Sequence, residues 1–431
     1  MKRLFAVALC LVLALGLLSA CRSDDNGDMA QGVTATEVVI GSSFVTSGVF
    51  AFVGRPLVDA AEAVIARANA HGGVGGRQIR MIHYCDANDP VTGRLMIERL
   101  IEEHQVFALV NINGVNAPMS FEYMRQSGVP TFGITGGISF MYEEYAPGSN
   151  IFHFTPSNEI CGPLLLARAI TESVFGPNRD QRLADDAMIG VMIGNNDAGH
   201  DSLRGIMELA EELGIADRII AEIVTPDTYF PVIQQMMAAN AGVLLLGLLD
   251  SMGVSAAMND AGWLVPIFAA YGTSTIPSWS PHTYDPLRPV FANAWATPTM
   301  EFAPDMLADF NNALTYHPTL DEATRLSYAD NNFAVVGYVT ALVFIQGLER
   351  LADSGREWTW ENFIWAMEQA PFFIQGFGPI DYTNGRRVGI TEMALFEYVA
   401  TPGPGGTWIE EQFIRHDFES LDEVLRRGGW R

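Results

Sequence analysis

The stretch HGGVGGRQIR, His71 to Arg80, sets four glycines within six positions and two arginines beside them. A loop of that composition could cradle phosphate on free backbone N–H groups, but such a loop leaves a strand and opens a helix. Here the order is reversed. Leu57, Ala60, Ala61, Val64, Ile65 and Ala68 recur at helical spacing before it, and Ile79 to Tyr84 reads as a strand after it. Gly72 and Gly73 therefore fall where a helix ends in a left-handed turn, which glycine adopts without steric penalty. The other signatures of catalysis are weak. The chain holds no HExxH, no GxSxG elbow and no phosphate-loop lysine, and its eight histidines are scattered without metal-ligand pairing. Asp86-Ala87-Asn88-Asp89 begins like a calcium loop but lacks the later glycine and glutamate. Asp197 and Asp250 remain as a carboxylate pair that could face each other across a cleft, for hydrolysis or for polar recognition. No cofactor and no metal is expected.

The elements around these residues alternate. Short apolar strands are expected at 38–42, 79–84, 106–111, 129–134 and 152–155, with helices at about 57–70, 92–103 and 118–126 between them. A second cycle follows: helices at 160–174, 201–213, 229–239 and 252–261, strands at 187–193, 219–224, 243–249 and 266–270. Strands apolar on both faces, alternating with amphipathic helices, mean parallel sheets covered on both sides. Two such cycles give two doubly wound, Rossmann-like α/β lobes. The tail departs from the pattern, with helices expected at 328–352 and 359–369. A hairpin over Gly378 to Val388 would turn at Asn384-Gly385, and a last strand would run from 393 to 399.

Ligands in open parallel sheets sit beyond the carboxyl ends of the strands. Those ends lead into Ser43–Ala51, Asn111–Asn116 and Thr135–Ser139 in the first lobe. In the second they lead into Asn195–His200, Leu249–Ser251 and Tyr271–Ser274. Glycines, amides and small hydroxyls at helix starts offer backbone N–H groups that suit a carboxylate. Asn113, Gly114, Asn116, Thr135, Gly136 and Gly137 are the candidates on one side. Asp197, Ala198, Leu249, Asp250 and Tyr271 are those on the other.

The beginning of the chain is a separate unit. Lys2 and Arg3, the apolar run Leu4 to Leu18 and the small Ser19-Ala20 read as an export signal over residues 1–20, with a run too short for a comfortable membrane span. Leu18-Ser19-Ala20-Cys21 looks like the lipobox of bacterial lipoproteins, so Cys21 is the expected lipidation site and residues 21–36 a flexible tether. Acyl chains contribute about 0.8 kcal/mol per buried methylene at a membrane. No later stretch reads as long and apolar enough to cross a bilayer; Gly242 to Leu249 is strand-sized. Removing Lys2 and Arg3 takes the formal charge from −25 to −27, and Lys2 is the sole lysine. Such acidity repels nucleic acid, and a lysine-free mature chain excludes Schiff-base chemistry. Cys85 and Cys161 could pair or stay free.

Taken together, these pieces resemble the substrate-binding lipoproteins of ABC importers, in the leucine/isoleucine/valine-binding (periplasmic-binding type I) family. Gly54–Ala70, Gly72–Arg77, Asp86–Pro90, Asp197–Gly199, Ala261-Gly262 and Gly378–Val388 carry the likeness, in the same order from Val38 to Val399. The resemblance implies a first lobe of residues 37–155 and 299–388 and a second of 156–298 and 389–431. Three crossovers would join them around a cleft that closes on a small solute. It also implies a monomer that is membrane-anchored outside the cytoplasm and served by a permease and an ATPase.

Amino-acid binders of that family commonly carry serine where Gly114 aligns, threonine at Gly137, tyrosine at Ala198 and a glutamate for the ammonium at Tyr271. Here backbone amides near Gly114 and Thr135–Gly137 are left to hold a carboxylate, and Asp197 or Asp250 to meet an amine. Phe50, Phe52 and Tyr271 would favour an apolar body, or else pack as lobe core. The expected ligand is a small hydrophobic or branched-chain amino acid or related carboxylate. An amine-free organic acid or amide is the alternative. An exported hydrolase using Asp197 and Asp250, or a sensor domain, would be a different class of protein.

Overall fold

The computed structural model of the chain describes residues 29–142, 145–271, 289–295, 303–329 and 331–431. The export signal, Cys21, the first half of the tether (to residue 28) and Gly272–Ser274 lie outside the described residues.

Strand β1 (Glu37–Phe44) shows why the chain layers as it does. Val38 and Ile40 enter one apolar cluster and Val39 another on the opposite face. A strand apolar on both faces must be covered twice. The cover comes from α1 (Ala51–Ala70) on one side and α2 (Pro90–Glu98) on the other. Then come β2 (Gln78–Cys85), β3 (Ala108–Ile112), α3 (Ala117–Ser127), β4 (Thr131–Ile134) and β5 (Ile151–His153). The five strands form one parallel sheet in the order β2-β1-β3-β4-β5. Helix starts follow local rules: Asp89 caps α2 by accepting the Thr92 N–H at 2.7 Å, and Pro90 occupies the first helical position.

The second cycle repeats the plan with α4 (Asn158–Thr171), β6 (Met188–Gly194), α5 (Asp197–Glu212), β7 (Ile219–Val224) and α6 (Tyr229–Ala238). It continues through β8 (Ala241–Gly247), α7 (Ser251–Ala261), β9 (Ile267–Ala269) and β10 (Val290–Ala294). In β8, Val243 and Leu245 join the cluster that holds the α4 leucines, while Leu244 and Leu246 pack with Ile233, Met236 and Val254. Each fully buried leucine stabilises the lobe by about 1.5–3 kcal/mol. Helices α8 (Pro304–Leu314), α9 (Glu322–Ser327), α10 (Asn332–Asp353) and α11 (Trp360–Met367) follow, and α8 and α10 pack on α1 of the first lobe. The chain ends in β11 (Met393–Pro402), β12 (Trp408–Glu419) and α12 (Leu421–Gly428). The second sheet runs β12-β11-β10-β9-β8-β6-β7, antiparallel only at β11 and β12.

The glycine stretch is a helix-to-strand turn. Gly72, Gly73, Gly75 and Gly76 have φ of 102°, 74°, 56° and 78°. Arg77 lies 4.5 Å above the Trp358 ring and donates to the Thr34 carbonyl. Three expectations for the later chain need correction. Gly378–Val388 forms no hairpin: Asn384 and Gly385 do take positive φ, but the flanks pair elsewhere, Phe372 with Ile380 and His153 with Val388. Buried Arg387 explains the preference, since it donates to the Ser149 carbonyl and pairs with Glu368 at 2.5 Å. The strand at 393 is not the last, because the GPGG turn leads into β12 and then α12. Finally, α10 is 22 residues long and apolar enough to cross a membrane by length and composition, yet 72% of its apolar window is buried inside the protein.

Among the described residues the chain passes between the two sheets at Phe154–Ser157 and near Gly389–Glu392. Phe154 meets Trp295 edge-on at 5.4 Å, and Trp295 meets Phe377 at 5.8 Å, so the crossovers share an aromatic core.

Candidate functional site

Loops from the carboxyl ends of strands in both sheets line one cavity of about 660 Å³. Ile138, Ser139 and Phe140 come from the segment after β4. Asn195, Asn196, Asp197, His200, Asp201 and Arg204 come from the segment after β6 and the first turns of α5, and Glu159 from α4. A hydrogen bond links the sides directly: the Ser139 N–H donates to Asp201 Oδ2 at 2.8 Å.

On the first-lobe side, Gly114 and the β4 loop touch backbone to backbone. A Cβ on Gly114 would fall 1.1 Å from the Thr135 carbonyl oxygen, so no larger residue fits. The Gly114 N–H donates to Thr135 Oγ1 at 3.3 Å. Gly136 and Gly137 take φ of 111° and 62°, a shape that carries strain for other residues. Asn113 is buried and ties neighbouring loops together, donating to Asp86 at 3.3 Å and Asn88 at 3.1 Å. Asn116 is also buried and lies against Gly93 of α2, with no hydrogen-bond partner for its amide among the described residues. Its position is in the packing between α2 and α3.

Phe50 is 48% exposed and Phe52 64%, so neither is lobe core. Phe52 rests edge-on against Phe333 at 6.3 Å. Across the cleft, Leu249 is 77% exposed in the loop after β8. Tyr271 is half-buried against the crossover core, 6.4 Å from the Trp295 ring, and burial pushes its phenol well above the usual range.

The two aspartates differ in setting. Asp250 caps α7, accepting the Gly253 N–H at 3.0 Å, and it also accepts from Tyr229. Burial and that carboxylate together push the Tyr229 phenol up to about 12. Asp197 lies exposed in the first turn of α5, on the cavity wall, with Ala198 half-buried behind it. Of the site residues expected from the sequence, Asp197 alone lines this cavity; Asp250, Phe50, Phe52, Leu249, Tyr271 and the Gly114 and Thr135–Gly137 turns lie outside its wall. Asp201, Arg204, Glu159 and His200 did not emerge from the sequence as site residues. One signal was available: Asp201 lies four residues after Asp197, on the same helical face.

Two other groups have chemical character. Cys85 and Cys161 are both free thiols. Against an opposing effect of partial burial, hydrogen bonds from Ser47 Oγ and the Thr46 N–H pull the Cys85 thiol down to about 7. Asp59, Glu62 and His317 bring ligand atoms within 4.8 Å of one another. His317 Nδ1, however, accepts the Thr319 and Leu320 N–H groups at 3.3 and 3.2 Å. The proton therefore sits on Nε2, donated to Glu62 at 3.1 Å, and the lone pair a metal would need is occupied.

Comparison with known proteins fits this arrangement. The sequence profile described as "Periplasmic binding protein" matches residues 37–403. The chain belongs to the periplasmic binding protein family. It is 29% identical over 130 residues to Leu/Ile/Val-binding protein homolog 2 of Brucella abortus (strain 2308), covering 30% of this chain and 31% of that one. The matched stretch thus spans about a third of that relative. Its fold is similar to a fatty acid ABC transporter substrate-binding protein from Thermomonospora curvata, with a TM-score of 0.66 and 16% identity over 92% of this chain and 96% of the other. It is also similar to an ABC transporter solute binding protein from R. palustris, solved in complex with 4-hydroxybenzoate. There the TM-score is 0.65 with 15% identity, over 88% of this chain and 96% of that one.

Proposed function

We propose that this protein is the extracytoplasmic solute-binding subunit of an ABC importer. It captures a small solute with an apolar body and a carboxylate, and delivers it to a permease without transforming it. The observation that carries this reading is a cavity walled by loops from both sheets, joined by the Ser139–Asp201 bond. A solute that touches both walls stabilises closure by its differential affinity for the closed form. Residues 37–155 with 299–388, and 156–298 with 389–431, are the two bodies that move. The export signal and the lipid on Cys21 keep the protein at the outer face of a membrane.

Within the site, the Gly136 N–H is the amide of the Thr135–Gly137 turn left to receive the carboxylate, since the Thr135 N–H donates to the Ile112 carbonyl at 3.1 Å and the Gly137 N–H to the Tyr142 hydroxyl. Ile138 and Phe140 of the cavity wall supply apolar cover, and Phe50, Phe52 and Leu249 are exposed side chains that closure could add to it. For an amino acid, Asp197 meets the ammonium group, since Asp250 already caps α7 and holds Tyr229. An amine-free acid is the second reading. It is favoured by Tyr271, half-buried beside the Trp295 ring at the position where amino-acid binders of the family commonly carry a glutamate. Melting curves with leucine, its keto analogue 4-methyl-2-oxopentanoate, octanoate and 4-hydroxybenzoate separate the two. Stabilisation by leucine alone supports the amino-acid reading; equal shifts from leucine and the keto acid mean that no amine site exists. Turnover of an ester or amide, lost on Asp250→Ala, would overturn the binding reading itself.

A further inference from the structure

Residues 136–139 belong by sequence to the first lobe, and beside their local turn bonds they make hydrogen bonds to the second. Asn158, at the start of α4, donates its side-chain amide to the carbonyls of Gly136 at 3.1 Å and Gly137 at 2.9 Å. Its own N–H donates to the Gly137 carbonyl at 2.9 Å. Asp201, on α5, accepts the Ser139 N–H. Arg204 then holds Asp201 from behind, donating to Oδ1 at 2.5 Å and through Nε to Glu159 at 2.8 Å. Asp201 is only 8% exposed, so water competes little for its oxygens. A hydrogen bond to an ionised, fixed acceptor is roughly twice as strong as a neutral one.

We propose that Asp201 is a positioning residue that latches the β4 loop of the first lobe to α5 of the second and so sets the angle between the lobes. The consequence for capture rests on the solute-binding reading above; the latch itself does not. Because Ser139 is tied to α5, rotation of the lobes drags the loop with the second lobe rather than the first. The turn Thr135–Gly137 therefore changes shape as the cleft moves, which couples a solute's grip on the Gly136 amide to the inter-lobe angle.

Spin labels on Glu103→Cys in the first lobe and Gln234→Cys in the second, in a Cys85→Ser background, measure the inter-lobe distance without solute. The parent should give one narrow distribution. Asp201→Ala should broaden it toward longer separations, and Asp201→Asn, which keeps an acceptor oxygen, should restore most of the narrow form. Ser139→Pro removes only the donor. Ile138 is extended (φ −75°, ψ 119°) and Ser139 opens a 3-10 turn, so proline fits there. It should broaden the distribution as Asp201→Ala does, and it decides the matter if Asp201→Ala does not fold. Distributions that superimpose on the parent would overturn the latch. A protein that binds no solute would leave these ligand-free distances unchanged, so the two readings fail separately.

Discussion

Asp197 and Asp250 occupy equivalent places after strands of the same sheet, yet their surroundings assign them different work. Asp250→Ala removes a helix cap and should cost about 1 kcal/mol of stability, read from denaturant unfolding. Asp197→Asn should leave stability nearly unchanged. It should weaken an amine-bearing solute at least tenfold, about 1.4 kcal/mol, in calorimetric titration, and hardly touch an amine-free acid. Unchanged leucine affinity would remove Asp197 from the site. The two thiols also diverge. Cys85 should alkylate in native protein with a rate that rises through a midpoint near pH 7. Cys161, raised far above the usual range by burial, should stay unmodified until the protein unfolds. Equal reactivity at pH 7 would contradict both environments. Composition alone revealed neither difference, because each depends on which backbone N–H groups or hydroxyls a side chain meets.

At the scale of elements, the parallel strands and the helices between them were legible because each buries an apolar stripe with its own period. The β4 turn was legible only as a candidate: glycines at 114, 136 and 137 mark it, but the contact between Gly114 and Thr135 is tertiary. Gly114→Ser should force the two loops apart, lower stability by more than about 2 kcal/mol and abolish solute binding. A serine tolerated without loss of melting temperature would mean the loops do not touch in solution. The tail was less legible for the same reason. Asn384-Gly385 carries the local signature of a hairpin turn, but buried Arg387 and the pairing of Val388 with His153 draw its flanks toward β5. Strand β12 was missed because its sequence mixes charges with aromatics and is sorted only by pairing with β11.

For the whole molecule, acid should loosen the junction between the lobes. Burial lowers His153, at the end of β5 beside the first crossover, to about 4, although its bond with the Met141 carbonyl opposes this. Its folded value lies below the unfolded 6.5, so the stability it contributes is complete above pH 6.5 and is lost as pH falls toward 4. That amounts to about 3 kcal/mol. Despite its burial, Glu172 is drawn down to about 2 by His416 and Arg427, so its contribution disappears from pH 4.5 downward. Chemical unfolding at a series of pH values should show both slopes, and His153→Gln should flatten the upper one. A bound solute at a hundredfold excess over its dissociation constant should add about 2.7 kcal/mol at neutral pH.

Hydrogen–deuterium exchange on the purified protein, with and without the solute that most raises its melting temperature, tests the central claim most directly. Residues 135–139 of one lobe and 195–201 of the other should gain protection together, at a single apparent affinity. Protection confined to one lobe, or falling away from both segments, would contradict a site formed between the two sheets.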